Sequence, residues 1–295
     1  MSAGFLTAGP VALPVNRRGI IVGLGCLVVC LIAVAAALTV GKLGITPTEL
    51  PAVLAGHGSK IQSWAVFSNR LPRALTALGV GALFGMSGAV FQSVTRNPLG
   101  SPDVIGLSAG AAAGAAVVSL FFTAIPVPVG ALIGGLIAVA IVVAGSGSGL
   151  AAPHRMVVIG IGVAAMSVAV VQFVLARARE QEALAIAGWI HGSLAARNWL
   201  LAGGIGVVLA AFAVVLGGPI AFIALVAPQV GKRLTRASGP GLLIAALVGA
   251  ALLCLADVVA QHLLPSPVPV GIATAGVGGV YLVFLLMREW RRAST

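Results

Sequence analysis

Long uncharged stretches alternate with short polar ones along most of the chain. The first, residues 19–40, has 22 residues and no charge. It exceeds the apolar core of a cleaved signal peptide, roughly 7–15 residues, and is long enough to cross a hydrocarbon layer about 30 Å thick. We therefore expect a retained first span, preceded by a cytoplasmic leader over residues 1–18 that ends in Arg17 and Arg18.

Further apolar stretches follow, each bounded by charge, proline or glycine. They predict spans at 71–94, 104–124, 127–144, 156–176, 242–261 and 268–287. Residues 199–231 are too short for two ordinary spans, and Gly217, Gly218 and Pro219 break any helix there. We expect one broken crossing, with 220–230 as a partly inserted half-helix buried against protein. The total is about eight crossings, with both termini in the cytoplasm.

Glycine spacing indicates how these spans pack. Many of the 40 glycines lie four residues apart, a pattern that lets helix backbones approach closely inside a membrane. The pairs are Gly81/Gly85, Gly106/Gly110/Gly114, Gly130/Gly134 and Gly188/Gly192. The fold class predicted from these patterns is an all-α polytopic membrane helix bundle.

The composition argues against several classes of function. The chain is 60% hydrophobic and 8% charged, with a mean hydropathy of +1.15, whereas a soluble domain carries about 25% charged residues. Six carboxylates in 295 residues argue against carboxylate-based hydrolysis and against a proton relay. The 17 Lys and Arg residues are scattered near span ends, which is a signal of membrane orientation; we expect membrane lipid around the chain and no nucleic-acid partner.

No cofactor or metal site is expected. Cys26 and Cys30 share a helix face and Cys254 lies in another span, and these thiols without a nearby His or further Cys cannot complete a tetrahedral zinc site. The chain also lacks the pattern Gly-x-x-x-x-Gly-Lys-Ser/Thr, so it does not bind ATP through a P-loop.

Two arginines stand on the side where positive charge is disfavoured. Arg70 and Arg73 lie three residues apart at the start of the second span, and by alternation they face outward, as do Arg177 and Arg179. Two interpretations of Arg70 and Arg73 remain open at this point. The two arginines are snorkelling anchors at the membrane surface, or they form an external docking patch for an acidic partner.

Three other polar features carry information. The turn Asn97–Asp103 contains two prolines and a glycine, and Asp103 is expected to N-cap the following helix. Asp257 is the only acid inside a predicted span; a functional role and a hydrated or paired structural role are both open. His191 is expected at the outer interface, where a lone His is ordinary.

Taken together, these segments resemble one family, the FecCD-type permeases. The matching motifs run in order through the chain: Asn69–Arg73, Gly85-x-x-Gly88-x-x-x-Gln92, Asn97–Asp103 leading into Gly106–Gly110, Gly188–Ser193, Gly218–Phe222, Ala227-Pro228, Ala256-Asp257 and Pro269–Gly271. The tail Gly278–Leu286 and the pair Pro228-Gln229 look most like the ferric-enterobactin branch. The resemblance covers nearly everything after residue 19, and makes 19–292 a single transmembrane domain.

The resemblance implies a type II ABC importer fold, similar to the cobalamin permease, in a bacterial plasma membrane. Such a permease moves ferric siderophores, haem or cobalamin by alternating access, and performs no chemistry itself. Its implied partners are a separate ATP-binding cassette ATPase, a second permease subunit, and an extracytoplasmic siderophore-binding lipoprotein or periplasmic protein. By resemblance, Arg70 and Arg73 would dock the binding protein, and Gln92 and Asp257 are candidate intramembrane polar residues.

The chain departs from the family between residues 199 and 218. The family has there the end of one span, a cytoplasmic loop that seats on the ATPase, and most of another span; two spans of about 20 residues plus a loop cannot fit. We therefore expect an internal deletion. The candidate ATPase contacts that remain are the inner turn (Arg96, Asn97, Pro98) and the cluster Lys232, Arg233 and Arg236.

Two alternatives to an ATP-driven permease remain open. One is a secondary transporter or channel that works without an ATPase, and the other is a degenerate permease that only dimerises.

Overall fold

Helices make up most of the chain that the computed structural model describes. The described residues are 4–8, 11–15, 17–41, 43–122, 124–147, 153–190, 220, 222–237, 239, 241–264 and 266–293. Their helices are α1 (Arg17–Thr39), α2 (Leu50–Leu54), α3 (Lys60–Trp64), α4 (Leu71–Thr95), α5 (Leu107–Phe121), α6 (Val127–Ser146), α7 (Pro153–Arg177), α8 (Glu180–Ile190), α9 (Ile223–Thr235), α10 (Leu242–Val258) and α11 (Val270–Ala293).

Seven of these helices coincide with the predicted spans, and the prediction of an all-α membrane bundle is confirmed. Five helical stretches of the described chain are long and apolar enough to cross a membrane: Arg17–Thr39, Lys60–Ser93, Val127–Ser146, Arg155–Arg177 and Leu242–Leu263. Leu107–Phe121 and Val270–Tyr281 are shorter apolar stretches. Within the leader, strands β1 (Gly4–Ala8) and β2 (Val11–Val15) pair antiparallel, with Gly4 opposite Val15.

The second span begins earlier than the hydropathy pattern predicts. Helix starts at Lys60, passes through a π-helical segment at Ala65–Arg70 and continues into α4. In the π segment the Leu71 N–H donates to the carbonyl of Val66, five residues back. This wider turn makes room for the ring of Pro72, which has no N–H to donate and would strike a carbonyl in a regular helix.

Glycines bring the central helices together as their spacing predicts. Gly81 and Gly85 of α4 lie directly against the backbone of Gly249 and Ala245 of α10, and Gly110 and Gly114 of α5 lie against Gly130 and Gly134 of α6. A Cβ at any of these glycines would overlap the facing helix. Close backbone contact is what associates helices where lipid offers no hydrophobic drive.

The main core forms around α4 and α10. Its buried side chains come from both helices and from neighbouring α9 and α11, for example Val80, Phe84, Ile223, Leu253 and Val270. By contrast, α1 exposes most of its apolar residues, as expected of a helix at the lipid boundary.

Helix α9 overlaps the predicted half-helix at 220–230 but begins later, at Ile223, and continues to Thr235. It has 13 residues, begins at Ile223 after Phe222 in a left-handed conformation (φ 69°), and buries its whole first half, Ile223–Pro228. The remainder of the predicted broken crossing, 199–219, lies outside the described residues. So do His191, Gly192 and the predicted deletion.

Candidate functional site

An ion pair joins the beginning of α4 to the end of α10. The Nε and Nη2 groups of Arg73 donate to the two carboxylate oxygens of Asp257, at 2.8 and 2.7 Å. The Arg73 side chain is 18% exposed and that of Asp257 is 6% exposed. The geometry is a bidentate, nearly desolvated pair, the strongest arrangement that arginine and a carboxylate adopt. In the structure Asp257 is therefore a paired residue, with Arg73 as its partner.

Arg70, three residues before Arg73, donates hydrogen bonds to the last carbonyls of α1. Its Nη1 donates to the carbonyls of Leu38 and Thr39, at 2.6 and 3.4 Å, and its Nη2 donates to the carbonyl of Leu43, at 2.8 Å. The last carbonyls of a helix have no partner within the helix, and a cation placed there also meets the negative end of the helix dipole. Arg70 thus ties the end of α1 and the following turn to the beginning of α4.

Both arginines line one cavity, which we call the outer cavity after the side that the sequence predicts for them. It measures about 280 Å³, and its polar lining comes from Asn69, Arg70, Arg73, Asp257, Gln261 and His262. Among these, Gln261 donates to the carbonyl of Val268 at 3.2 Å. These polar residues come from the π segment Ala65–Arg70, from the first turn of α4, from the end of α10, and from a second π-helical segment, Val259–Leu263, that follows α10.

A pair of glutamines connects α4 to α9 deeper in the bundle. The Gln229 amide donates to Gln92 Oε1 at 2.7 Å, and the Gln92 amide donates to the carbonyl of Leu225 at 3.1 Å. Gln92 is only 4% exposed, so each of these hydrogen bonds satisfies a buried polar group. The sequence indicated Gln92 as a candidate residue but did not predict its contact with Gln229.

The same face of α4 receives the backbone of α9. Pro228 has no N–H, so the carbonyl of Ala224, four residues earlier, loses its helical donor. Gly88 lies directly against this carbonyl, and a Cβ there would overlap it. Gly88 and Gln92 are one turn apart on α4 and contact successive parts of α9, so the two helices run in the same direction.

The candidate ATPase contacts consequently lie at one end of the bundle. Arg96 follows α4 in a left-handed conformation (φ 51°) and is exposed, as are Asn97 and Pro98. Arg236 follows α9 in the same conformation (φ 52°), with Arg233 exposed and Lys232 partly so. Near them Arg18, at the start of α1, donates from Nε to the carbonyl of Leu234 at 2.9 Å.

The expectation that Asp103 caps α5 is wrong. The N-cap of α5 is Gly106, and Asp103 lies inside a 3₁₀ turn, Pro102–Ile105, where its carboxylate accepts a hydrogen bond from Ser108. The extra turn displaces the helix start beyond the reach of a capping side chain. Burial raises the pKa of the Asp103 carboxyl, and the hydrogen bond from Ser108 opposes this shift.

Across the described residues, no three His, Cys, Asp or Glu side chains come together in a way that could hold a metal ion. Cys26, Cys30 and Cys254 are buried free thiols. The polar groups of the outer cavity are the guanidinium groups of Arg70 and Arg73, the paired carboxylate of Asp257, the amides of Asn69 and Gln261, and the imidazole of His262.

Comparison with protein families gives one match over most of the chain. The FecCD transport family matches residues 28–203 and 200–288. The two stretches meet inside the region where the sequence predicts an internal deletion.

Individual relatives are iron-transport permeases. The ferric enterobactin transport system permease protein FepG of Escherichia coli K12 is 35% identical, over 94% of this chain and 99% of FepG. The iron(3+)-hydroxamate import system permease protein FhuG of Bacillus subtilis 168 is 28% identical, over 85% of this chain and 92% of FhuG.

A solved structure shares the fold. An inward-facing metal-chelate type ABC transporter superposes with a TM-score of 0.75 at 24% identity, covering 91% of this chain and 99% of that chain.

The alignment with FepG also contains positions that have no counterpart in this chain. It spans 328 positions, whereas 94% of this 295-residue chain is about 277 residues, so about 50 positions have no counterpart here. That length corresponds to two membrane-spanning helices and a short loop, at about 20 residues per span.

Proposed function

Because this chain belongs to the FecCD transport family and is a permease subunit of an ABC importer, we propose that its substrates are ferric siderophores. The observation that carries the proposal is the 35% identity with the ferric enterobactin permease FepG, which extends over 94% of this chain. The relatives named above carry different iron chelates, so the proposal is made for the class of ferric siderophores and for no single one.

The proposed mechanism is alternating access between this chain and a second permease subunit in the bacterial inner membrane. A separate ATPase supplies the energy, since this sequence has no P-loop. The permease performs no chemistry on the chelate. Its contribution is a pathway whose two ends open in turn, and a partner can drive that change only through contacts that differ between the two states.

The outer cavity is the proposed landing place of the substrate-binding protein. Arg70 and Arg73 both line it, and two guanidinium groups against one carboxylate leave a net positive charge that suits an acidic protein surface. This assignment sets the outer cavity on the extracytoplasmic side. It accounts for the arginines that oppose the positive-inside tendency.

The inner turn and the end of α9 are the proposed contacts of the ATPase. The inner turn (Arg96, Asn97 and Pro98) follows α4 directly. The basic cluster (Lys232, Arg233 and Arg236) lies at the end of α9, at the same end of the bundle. The Gln92–Gln229 hydrogen bond connects the two helices. A displacement of either group of residues would therefore be transmitted to the other helix.

A second candidate function follows from the absent 50 positions. The family resemblance predicts that the loop that seats on the ATPase is among them, and without that loop the chain could dimerise with a full-length permease but not recruit the ATPase. An ATPase-independent transporter or channel is a further alternative.

Iron uptake in a host that lacks its own siderophore permeases tests the substrate class. The chain would be co-expressed with the partner permease, ATPase and binding protein of the same system, and cells would receive radio-iron on a catecholate or on a hydroxamate chelate. We expect uptake of at least one chelate that depends on this chain. If none is taken up while the protein is present in the membrane, the proposal fails; co-purification with the partner permease but without the ATPase would then identify the dimerising form.

A further inference from the structure

The Arg73–Asp257 pair lies between two irregular helical segments. The π segment Ala65–Arg70 immediately precedes α4, and the π segment Val259–Leu263 immediately follows α10. Single π turns are rare in helices and occur often at functional sites. Here both are found at the same end of the bundle, and each contributes residues to the outer cavity.

The ion pair uses only one edge of the Arg73 guanidinium. Asp257 accepts from Nε and Nη2, which form the side-on edge of the group. The other edge, Nη1 with the second hydrogen of Nη2, has no hydrogen-bond partner among the described residues, and Arg73 lines the outer cavity. A guanidinium has five N–H donors in a rigid plane, so fixing one edge also fixes the direction of the other.

Arg70 leaves its complementary edge open. Its three hydrogen bonds to the carbonyls of Leu38, Thr39 and Leu43 come from Nη1 and Nη2, and Nε with the remaining Nη2 hydrogen is left. The outer cavity thus has two guanidinium groups with N–H donors that make no hydrogen bond within the described residues, and a net charge of about one positive unit if His262 is neutral. This matches one incoming carboxylate.

Helix association does not require the ion pair. Gly81 and Gly85 already hold α4 against α10 through direct backbone contact, and a buried ion pair is often no more stabilising than apolar side chains of the same volume. The pair therefore calls for a role other than joining the two helices.

We propose that Asp257 is a positioning residue for docking, which holds the side-on edge of Arg73 so that the end-on edge faces a carboxylate of the binding protein. The inference rests on the proposed docking function of the outer cavity. Without Asp257 the guanidinium could turn in the cavity, and an incoming carboxylate would have to order it during binding, at a cost in affinity.

Binding of the substrate-binding protein of the same importer to the complete permease–ATPase complex in lipid nanodiscs tests the proposal. We expect Asp257→Asn to weaken this binding about tenfold and Arg179→Ala, an exposed outer arginine away from the cavity, to leave it unchanged. Binding to Asp257→Asn that equals the wild type would overturn the proposal. Tighter binding would also overturn it, because it would show that Asp257 competes with the partner's carboxylate.

A second variant separates positioning from a structural role. Arg73→Lys keeps a cation beside Asp257 but removes the planar second edge. Positioning predicts a complex with wild-type thermal stability and docking weakened about tenfold or more, whereas a purely structural pair predicts wild-type docking. If the wild-type complex itself fails to bind the protein, the docking function is wrong; if it binds and only the two variants behave as wild type, this inference alone is wrong.

Discussion

At the scale of single residues, Arg70 and Arg73 have different partners although they are three positions apart. Arg70 donates to main-chain carbonyls at the end of α1, and Arg73 pairs with a carboxylate on α10. The sequence interpretation treats them as one docking pair. The structure adds a stabilising role for Arg70 that the docking interpretation did not contain.

Replacing Arg70 with Met should destabilise the fold. The substitution keeps a long side chain but removes every hydrogen bond to Leu38, Thr39 and Leu43, and we expect a loss of about 1–3 kcal/mol in the free energy of unfolding. Thermal unfolding of the purified permease in detergent measures it, with Arg179→Met as the control. Equal unfolding temperatures for Arg70→Met and the wild type would show that these bonds contribute nothing.

Residue types alone could select Arg73 and Asp257 but not join them. An acid inside a span and an arginine on the unexpected side are each unusual in a membrane protein, and this is why both were found. Their pairing could not be predicted because they are 184 positions apart and no local sequence pattern links α4 to α10.

At the scale of helices, glycine spacing predicted contact but not the partners. Gly81 and Gly85 were recognisable as a close-packing pair, whereas their opposite residues, Gly249 and Ala245, follow only from the fold. The π segments were also unpredicted, since their hydropathy is that of ordinary helix. The span boundaries were predictable because charge, proline and glycine end the apolar stretches.

Gly88→Ala should disrupt the seating of α9 on α4. Its methyl group would overlap the carbonyl of Ala224, and overpacking of this kind costs about 1–3 kcal/mol. Gly79→Ala, on the same helix, is the matched control because a Cβ there has no heavy atom within 4 Å. Thermal unfolding of both variants checks the prediction, and the account of this contact is wrong if the two are equally stable.

The Gln92–Gln229 contact should be measurable as a coupling between α4 and α9. In a double-mutant cycle, Gln92→Leu and Gln229→Leu should each destabilise the protein, and the double variant should lose less than the sum by about 0.5–1 kcal/mol. Strict additivity of the two effects would mean that the glutamines do not interact in the membrane.

At the scale of the whole molecule, the predicted eight crossings place the end of α9 in the cytoplasm. A reporter enzyme that is active only in the cytoplasm, fused after Arg236, should therefore be active, and a reporter that needs the outside should be inactive there. Arg18 bonded to Leu234 supports the prediction, because both ends are then on one side. Activity of the external reporter at this position would refute the crossing number.

The alignment with FepG leaves about 50 positions without a counterpart in this chain, and the chain still superposes on a metal-chelate type ABC transporter with a TM-score of 0.75. The fold class was predictable because hydropathy and motif order are distributed over nearly the entire sequence. Whether the remaining inner residues couple the permease to ATP hydrolysis is a question of energy transfer between subunits, which sequence patterns do not encode.

ATP-dependent transport by the reconstituted importer tests the central claim most directly. Proteoliposomes would contain this chain, its partner permease and the ATPase, with ferric siderophore and binding protein on the side of the outer cavity. We predict chelate uptake with the intact ATPase and none with a hydrolysis-dead ATPase. Uptake that is equal with both ATPases would contradict the account and identify an ATPase-independent transporter, and no uptake with either would mean that the shortened chain does not transport.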